Sequence, residues 1–157
     1  MKYKRFDHMK CSVAQTLDII GERWSLLIIR DIFFGARRFS QIQRSLGIAK
    51  NILSARLNHL VDEGILSRNQ AEGSAHTEYR LTRMGLDLQP VLLAMAHWGD
   101  HYRPEQEGLR VEFIERKTGK PIRKMAVISA AGETLSALDI KAIPGPAMAG
   151  ESLGFKG

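Results

Sequence analysis

A mainly α-helical domain carrying one small β-hairpin, followed by an appendage with a second hairpin, is the fold class this 157-residue sequence predicts. Three observations carry it. In the stretch FSQIQRSLGIAKNILSARLNHLVDEGIL, residues 39–66, apolar side chains recur at helical spacing on both sides of Leu46-Gly47-Ile48. Beyond Gly64 the period falls to two, with Tyr79 and Leu81 alternating with Glu78 and Arg80. From Thr82 to Tyr102 the helical period returns, interrupted once by Pro90.

Each element has a local reason. Residues 1–10 set Lys2, Lys4, Arg5 and Lys10 against Asp7 and read as a basic, frayed lead-in. Residues 12–20 form a helix with Val13, Leu17 and Ile20 at core spacing, closed by Gly21. Residues 22–34 form the next, with Trp24, Leu27, Ile28 and Ile32 on a broad apolar face, and Gly35 ends it. Ser40, with Gln43 three residues on, has the pattern of a capping box and starts a third helix. Gly47 can take the positive φ that a sharp helix–helix corner needs. The fourth helix, residues 50–63, stops at Gly64, a left-handed C′ position, and carries Leu53, Leu57 and Leu60 as its core stripe.

Residues 65–69 and 77–82 read as two short strands around residues 70–76. A hairpin directly after a helix–turn–helix is a wing, so the predicted architecture is winged helix–turn–helix. Thr82 then caps the stretch to Tyr102, which is either kinked at Pro90 or two helices meeting at Gln89-Pro90, because proline lacks an N–H. The predicted division is a winged and dimerising domain over 1–103, a small appendage over 104–143, and a weakly ordered Gly/Pro-containing tail over 144–157. Within the appendage, residues 110–116 and 122–129 are expected to pair around residues 117–121.

Composition narrows the function. A net charge of +6 and a pI near 9.7 point moderately to an acidic partner. One cysteine allows no internal disulfide and no CxxC metal site. No apolar run reaches membrane-span length, and the N-terminus lacks a signal peptide's apolar segment, so a cytoplasmic location with no membrane partner is expected. No P-loop, Rossmann glycine set, HExxH or nucleophile elbow occurs, so no enzyme chemistry and no cofactor are expected. His97 and His101 lie four apart, but without a third ligand they are read as surface or dimer-seam residues, and no metal is expected.

Opposite the leucine stripe of helix 50–63 lie Asn51, Ala55, Asn58 and His59, with Ser54 and Arg56 on the flanks. Such a face suits base edges in a major groove, where Asn bonds adenine and small residues allow close approach. From Ile32 to Val61 there is no Asp or Glu, while Arg37, Arg38, Arg44, Lys50 and Arg56 are present, which favours a polyanion. The candidate DNA contacts are therefore Arg37, Arg38, Ser40, Lys50, Asn51, Ser54, Ala55, Arg56 and Asn58. On the wing, residues 67–80, Arg68, His76 and Arg80 are candidates for phosphate contact. Beyond Pro90, Val91, Leu92, Met95, Trp98 and Tyr102 make more apolar surface than one small winged domain buries, so a second subunit is expected to cover it.

The run from Cys11 to Arg68 followed by EYRLTRMGLDLQPVLLAMAHWGD resembles the HxlR family of bacterial winged helix–turn–helix transcription regulators, similar in build to the MarR group. The features that carry it are Cys11, Ile20-Gly21 before Arg23-Trp24, Gly35 with Arg38-Phe39, and Leu53 with Leu57. Glu78-Tyr79-Arg80-Leu81-Thr82 with Gly85, and Trp98-Gly99, complete the match over residues 9–102. The resemblance implies a homodimer on double-stranded operator DNA, joined through N- and C-terminal helices, with Val13 and Leu17 added to the seam. It also implies a live role for Cys11, since some members sense oxidants or electrophiles there. A small, partly buried packing residue is the other reading. An alternative function is a small-molecule or metal sensor whose winged domain mainly mediates protein contacts. The chain departs from the family at Ser12, where proline is usual, at Ala49, where a serine caps the recognition helix, and at Ala75-His76, where the wing often has prolines. Some members carry an appendage with zinc-binding cysteine pairs; here Ala130-Ala131-Gly132 stands in place of one.

Overall fold

The computed structural model describes residues 6–70 and 76–149. The expectations for Lys2, Lys4, Arg5, the wing tip at 71–75 and the tail beyond 149 fall outside the described residues. The chain divides into two compact units, Met1–Gln89 and Pro90–Gly157.

The first unit runs α1 (Ser12–Ile20), α2 (Ser25–Phe33), α3 (Phe39–Leu46), α4 (Lys50–Asp62), β1 (Leu66–Gln70), β2 (Thr77–Leu81) and α5 (Arg83–Leu86). Its core is one aliphatic cluster. Ile28, Ile29 and Ile32 of α2, Ile42 of α3, and Leu53, Leu57 and Leu60 of α4 are all buried, joined by Ile65 and Leu66 at the start of the wing. Each such side chain contributes about 1.5–3 kcal/mol by leaving water, so this stripe holds α4 against the domain and leaves its opposite face outside. Gly47 and Gly64, at φ +61° and +74°, end α3 and α4 in the left-handed region, as the sequence predicts. α2 begins at Ser25 rather than Glu22, because residues 22–24 form a turn closed by Ser25 N–H donating to the Glu22 carbonyl (3.0 Å).

α3 begins one residue before the predicted cap. Arg38 is the N-cap, and Gln41 Oε1 accepts from the backbone N–H groups of Arg37 and Arg38, both at 2.9 Å. Ser40 lies inside the first turn and caps nothing. The start is set from a distance: Tyr79 N–H donates to the Arg37 carbonyl (2.7 Å), and Arg38 bridges Glu78, which holds 37–38 extended beside β2. β1 and β2 pair antiparallel with Arg68 opposite Tyr79. Thr82 caps α5, its Oγ1 accepting from Gly85 N–H (3.2 Å) and donating to the Gly64 carbonyl (2.6 Å).

α6 (Gln89–Tyr102) is separate from α5, which decides between the two readings of Pro90. As the second residue of a helix, Pro90 lacks an N–H that would have had no intrahelical partner anyway. The second unit adds β3 (Val127–Ile128) and β4 (Thr134–Leu135), an antiparallel pair, and 3-10 turns at Ala137–Asp139 and Pro146–Met148. The appendage hairpin expected around 117–121 is short: Ile114 bridges Pro121, Glu115 N–H donates to the Lys120 carbonyl (2.8 Å) and Ile122 N–H to the Phe113 carbonyl (2.9 Å), while Pro121 has no N–H to extend a ladder. The regular pairing lies farther on, around residues 129–133. Arg110 fastens this segment, donating to Asp100 (3.0 Å) and Glu105 (2.7 Å). The hydrogen bond to Asp100, before the one to Glu105, raises the Arg110 pKa above its ordinary value. Among the described residues no helix is long and apolar enough to cross a membrane.

Candidate nucleic-acid interface

The outer face of α4 is built as its leucine stripe requires. Asn51, Ser54, Ala55 and Asn58 are all exposed, and Lys50 is exposed in the first turn. Ala49 takes the N-cap position with extended backbone and has no side-chain acceptor. The first backbone N–H groups of α4 therefore have no cap from that residue, and a helix N-terminus in this state favours an anionic oxygen.

The surrounding cations divide into two groups. Arg38, Arg44 and Lys50 are exposed around α3 and the start of α4. The others are engaged within the chain. Arg37 Nη1 donates to the carbonyls of Ile32 (2.7 Å) and Ala36 (2.8 Å), closing the C-terminal end of α2. Arg56 pairs with Glu22 at 3.0 Å, the two side chains 23% and 21% exposed. The acid-free run holds in sequence, yet the fold brings an acid from the α1–α2 turn to Arg56. His59 likewise leaves the outer face, its Nε2 donating to the Ile19 carbonyl (3.1 Å) and tying α4 to α1.

The wing is joined to α4 by a side chain. Arg68 donates through Nη2 to Asn58 Oδ1, and its guanidinium lies over the buried Tyr79 ring, 5.7 Å from the centroid. Arg80 pairs with Glu78 along the same strand (3.0 Å). His76 is exposed just before β2, and Ser40 is exposed within α3. Glu22, Gln41 and Tyr79 also shape the face: Glu22 and Tyr79 through non-local partners, and Gln41 through the local bonds that start α3.

Of the expected seam residues, Val13 and Leu17 are exposed on α1, so they are not core despite their spacing. On α6, Val91, Met95, Trp98 and Tyr102 are exposed and Leu92 is half-buried, with the Trp98 and Tyr102 rings 5.0 Å apart. Cys11 is the exposed N-cap of α1.

A recognition-type helix backed by an aliphatic core, a preceding helix at a glycine corner and a hairpin alongside define a helix–turn–helix transcriptional regulator rather than an enzyme. The model of the HxlR-like helix-turn-helix family matches residues 19–107, more than half of the chain, and the protein belongs to that family. The uncharacterized HTH-type transcriptional regulator Rv3095 of Mycobacterium tuberculosis is 39% identical over 137 residues, covering 86% of each chain. Among solved structures, PA1607, a provisionally assigned transcription factor, is 43% identical with a TM-score of 0.79, covering 85% of this chain and 94% of its own. The redox regulator HypR in its reduced form is 32% identical with a TM-score of 0.55, covering 59% of this chain and 94% of its own.

Proposed function

We propose that the protein is a homodimeric, sequence-specific DNA-binding regulator that acts on operator DNA in the bacterial cytoplasm. The recognition helix, residues 50–63, enters the major groove, and the wing, residues 67–80, lies on the backbone or minor groove. The observation that carries this reading is the exposed, acid-free surface of Asn51, Ser54, Ala55 and Asn58, with Lys50 at its leading end. Amide side chains and small residues read base edges, while Lys50 and the uncapped N–H groups of α4 take phosphates. Arg38 and Arg44 extend the phosphate track. The Arg68 bond leaves the amide nitrogen of Asn58 as the group turned to DNA, so Asn58 donates to a base acceptor while Asn51 keeps both its donor and acceptor.

Two copies are needed because one α4 reads only a half-site, and half-sites one helical turn apart match a two-fold dimer. The exposed apolar residues of α1 and of α6 supply the seam. Footprinting on the DNA flanking the protein's own gene tests the proposal. Protection of two half-sites with centres about 34 Å apart supports it, and protection that is sequence-blind at every salt concentration contradicts it.

A further inference from the structure

The family model ends at residue 107, yet the likeness to Rv3095 and to PA1607 covers about 85% of the chain and so runs on into the appendage. No described residue of this second unit is fully buried, so the appendage is not an independent hydrophobic core. What it does form, with α6, is a hollow of about 340 Å³. We propose that this hollow is a binding site for a small aromatic acid.

The polar lining supplies donors. His97 Nδ1 accepts the Met125 backbone N–H (2.9 Å), so the neutral ring carries its proton on Nε2 and donates there. His101 lies one turn on along α6, and Lys124 brings an ammonium from the opposite segment. The acid beside them is already satisfied, because Asp100 is bound by Arg110 at 3.0 Å. Glu112 is the remaining acid in the wall; it repels any anion, and Lys124 is the cation in the same lining that offsets it. Leu109, Phe113 and Ile122 make the apolar side, with the Phe113 ring set edgewise to His97 at 6.4 Å and 81°. The volume is at the lower end for small-molecule sites and fits one or two rings. A flat apolar body bearing one carboxylate satisfies both walls. A metal ion does not, since no three His, Cys, Asp or Glu among the described residues form a ligand set.

The test is calorimetric titration of the full-length protein with 2-naphthoate and with its cationic counterpart of the same shape, 2-naphthylmethylammonium. Naphthoate is expected to bind at least about tenfold more tightly, since hydrogen bonds to a charged acceptor account for that ratio or more. Lys124→Ala should weaken naphthoate by about tenfold. Ile122→Trp, which fills the hollow, should abolish binding, with circular dichroism confirming that both variants remain folded. Equal affinity for the two ions, indifference to Ile122→Trp, or no heat with millimolar naphthoate would each overturn the assignment.

Discussion

Arg56 offers the sharpest separation between a DNA contact and a structural one. Its guanidinium is 3.0 Å from Glu22, and both side chains are about four-fifths shielded from water. Removing it by Arg56→Ala leaves the Glu22 carboxylate partly desolvated and unpaired. An exposed pair contributes about 0–1 kcal/mol and breaking a buried one costs about 3–5, so the loss expected for this intermediate case is ~1–2 kcal/mol. In a unit of this size that lowers the melting temperature by about 5–10 °C. The slope of log affinity against log salt should stay at its wild-type value, since no phosphate contact is lost. Thermal denaturation beside DNA titration at several salt concentrations reads both quantities, with Glu22→Gln as the partner variant and the double variant closing the cycle. An unshifted melt together with a slope flatter by about one would show that Arg56 serves DNA and that the Glu22 pair is incidental.

Gly85→Ala should destabilise by ~1–3 kcal/mol, because a Cβ there would sit 2.3 Å from the Ile65 carbonyl oxygen and 2.8 Å from Leu81 Cδ2. A wild-type melt would mean that α5 shifts without cost. Trp98→Asp should give monomers by light scattering and reduce operator affinity far more than half-site affinity, since linkage between half-sites is lost. A dimeric Trp98→Asp protein would place the seam elsewhere, on α1 alone. If Cys11 is a redox sensor, mild oxidant or a quinone alters operator affinity in wild type and leaves Cys11→Ser unaffected, with non-reducing electrophoresis reporting a crosslinked dimer. Unchanged affinity after stoichiometric thiol loss would leave Cys11 as a surface residue without a signalling role.

The elements that could be read from sequence are those set by local periodicity and local turns. The Leu53, Leu57 and Leu60 stripe, the corners at Gly47 and Gly64, and the alternation around Tyr79 each depend on a few neighbouring residues, and each stands where the pattern puts it. Ser40 has the pattern of a cap but does not act as one, because the start of α3 is fixed by β2, forty residues along the chain, through the Arg37 carbonyl and the Arg38 bridge. Helical spacing also places Asn51, Ser54, Ala55 and Asn58 outward on α4, but it does not give their partners, and it puts on that face a His59 that the fold turns to α1. Glu22 for Arg56, Ile19 for His59 and Asn58 for Arg68 are tertiary choices with no sequence spacing to announce them. The appendage was the least legible part, because its strands are two residues long and its register follows turns rather than a hydrophobic period.

The central claim is that the Asn51 to Asn58 face of α4 reads bases while Lys50 meets the backbone. The direct measurement is the affinity of wild type, Asn51→Ala and Lys50→Ala for the footprinted operator and for a scrambled duplex, each over a range of salt. Asn51→Ala should lose ~1–3 kcal/mol on the operator and little on the scrambled duplex, with the salt slope unchanged. Lys50→Ala should weaken both duplexes alike and flatten the slope by about one. Equal, sequence-blind losses from both variants would contradict the account, because α4 would then be a phosphate-binding helix and the base-reading surface would lie elsewhere.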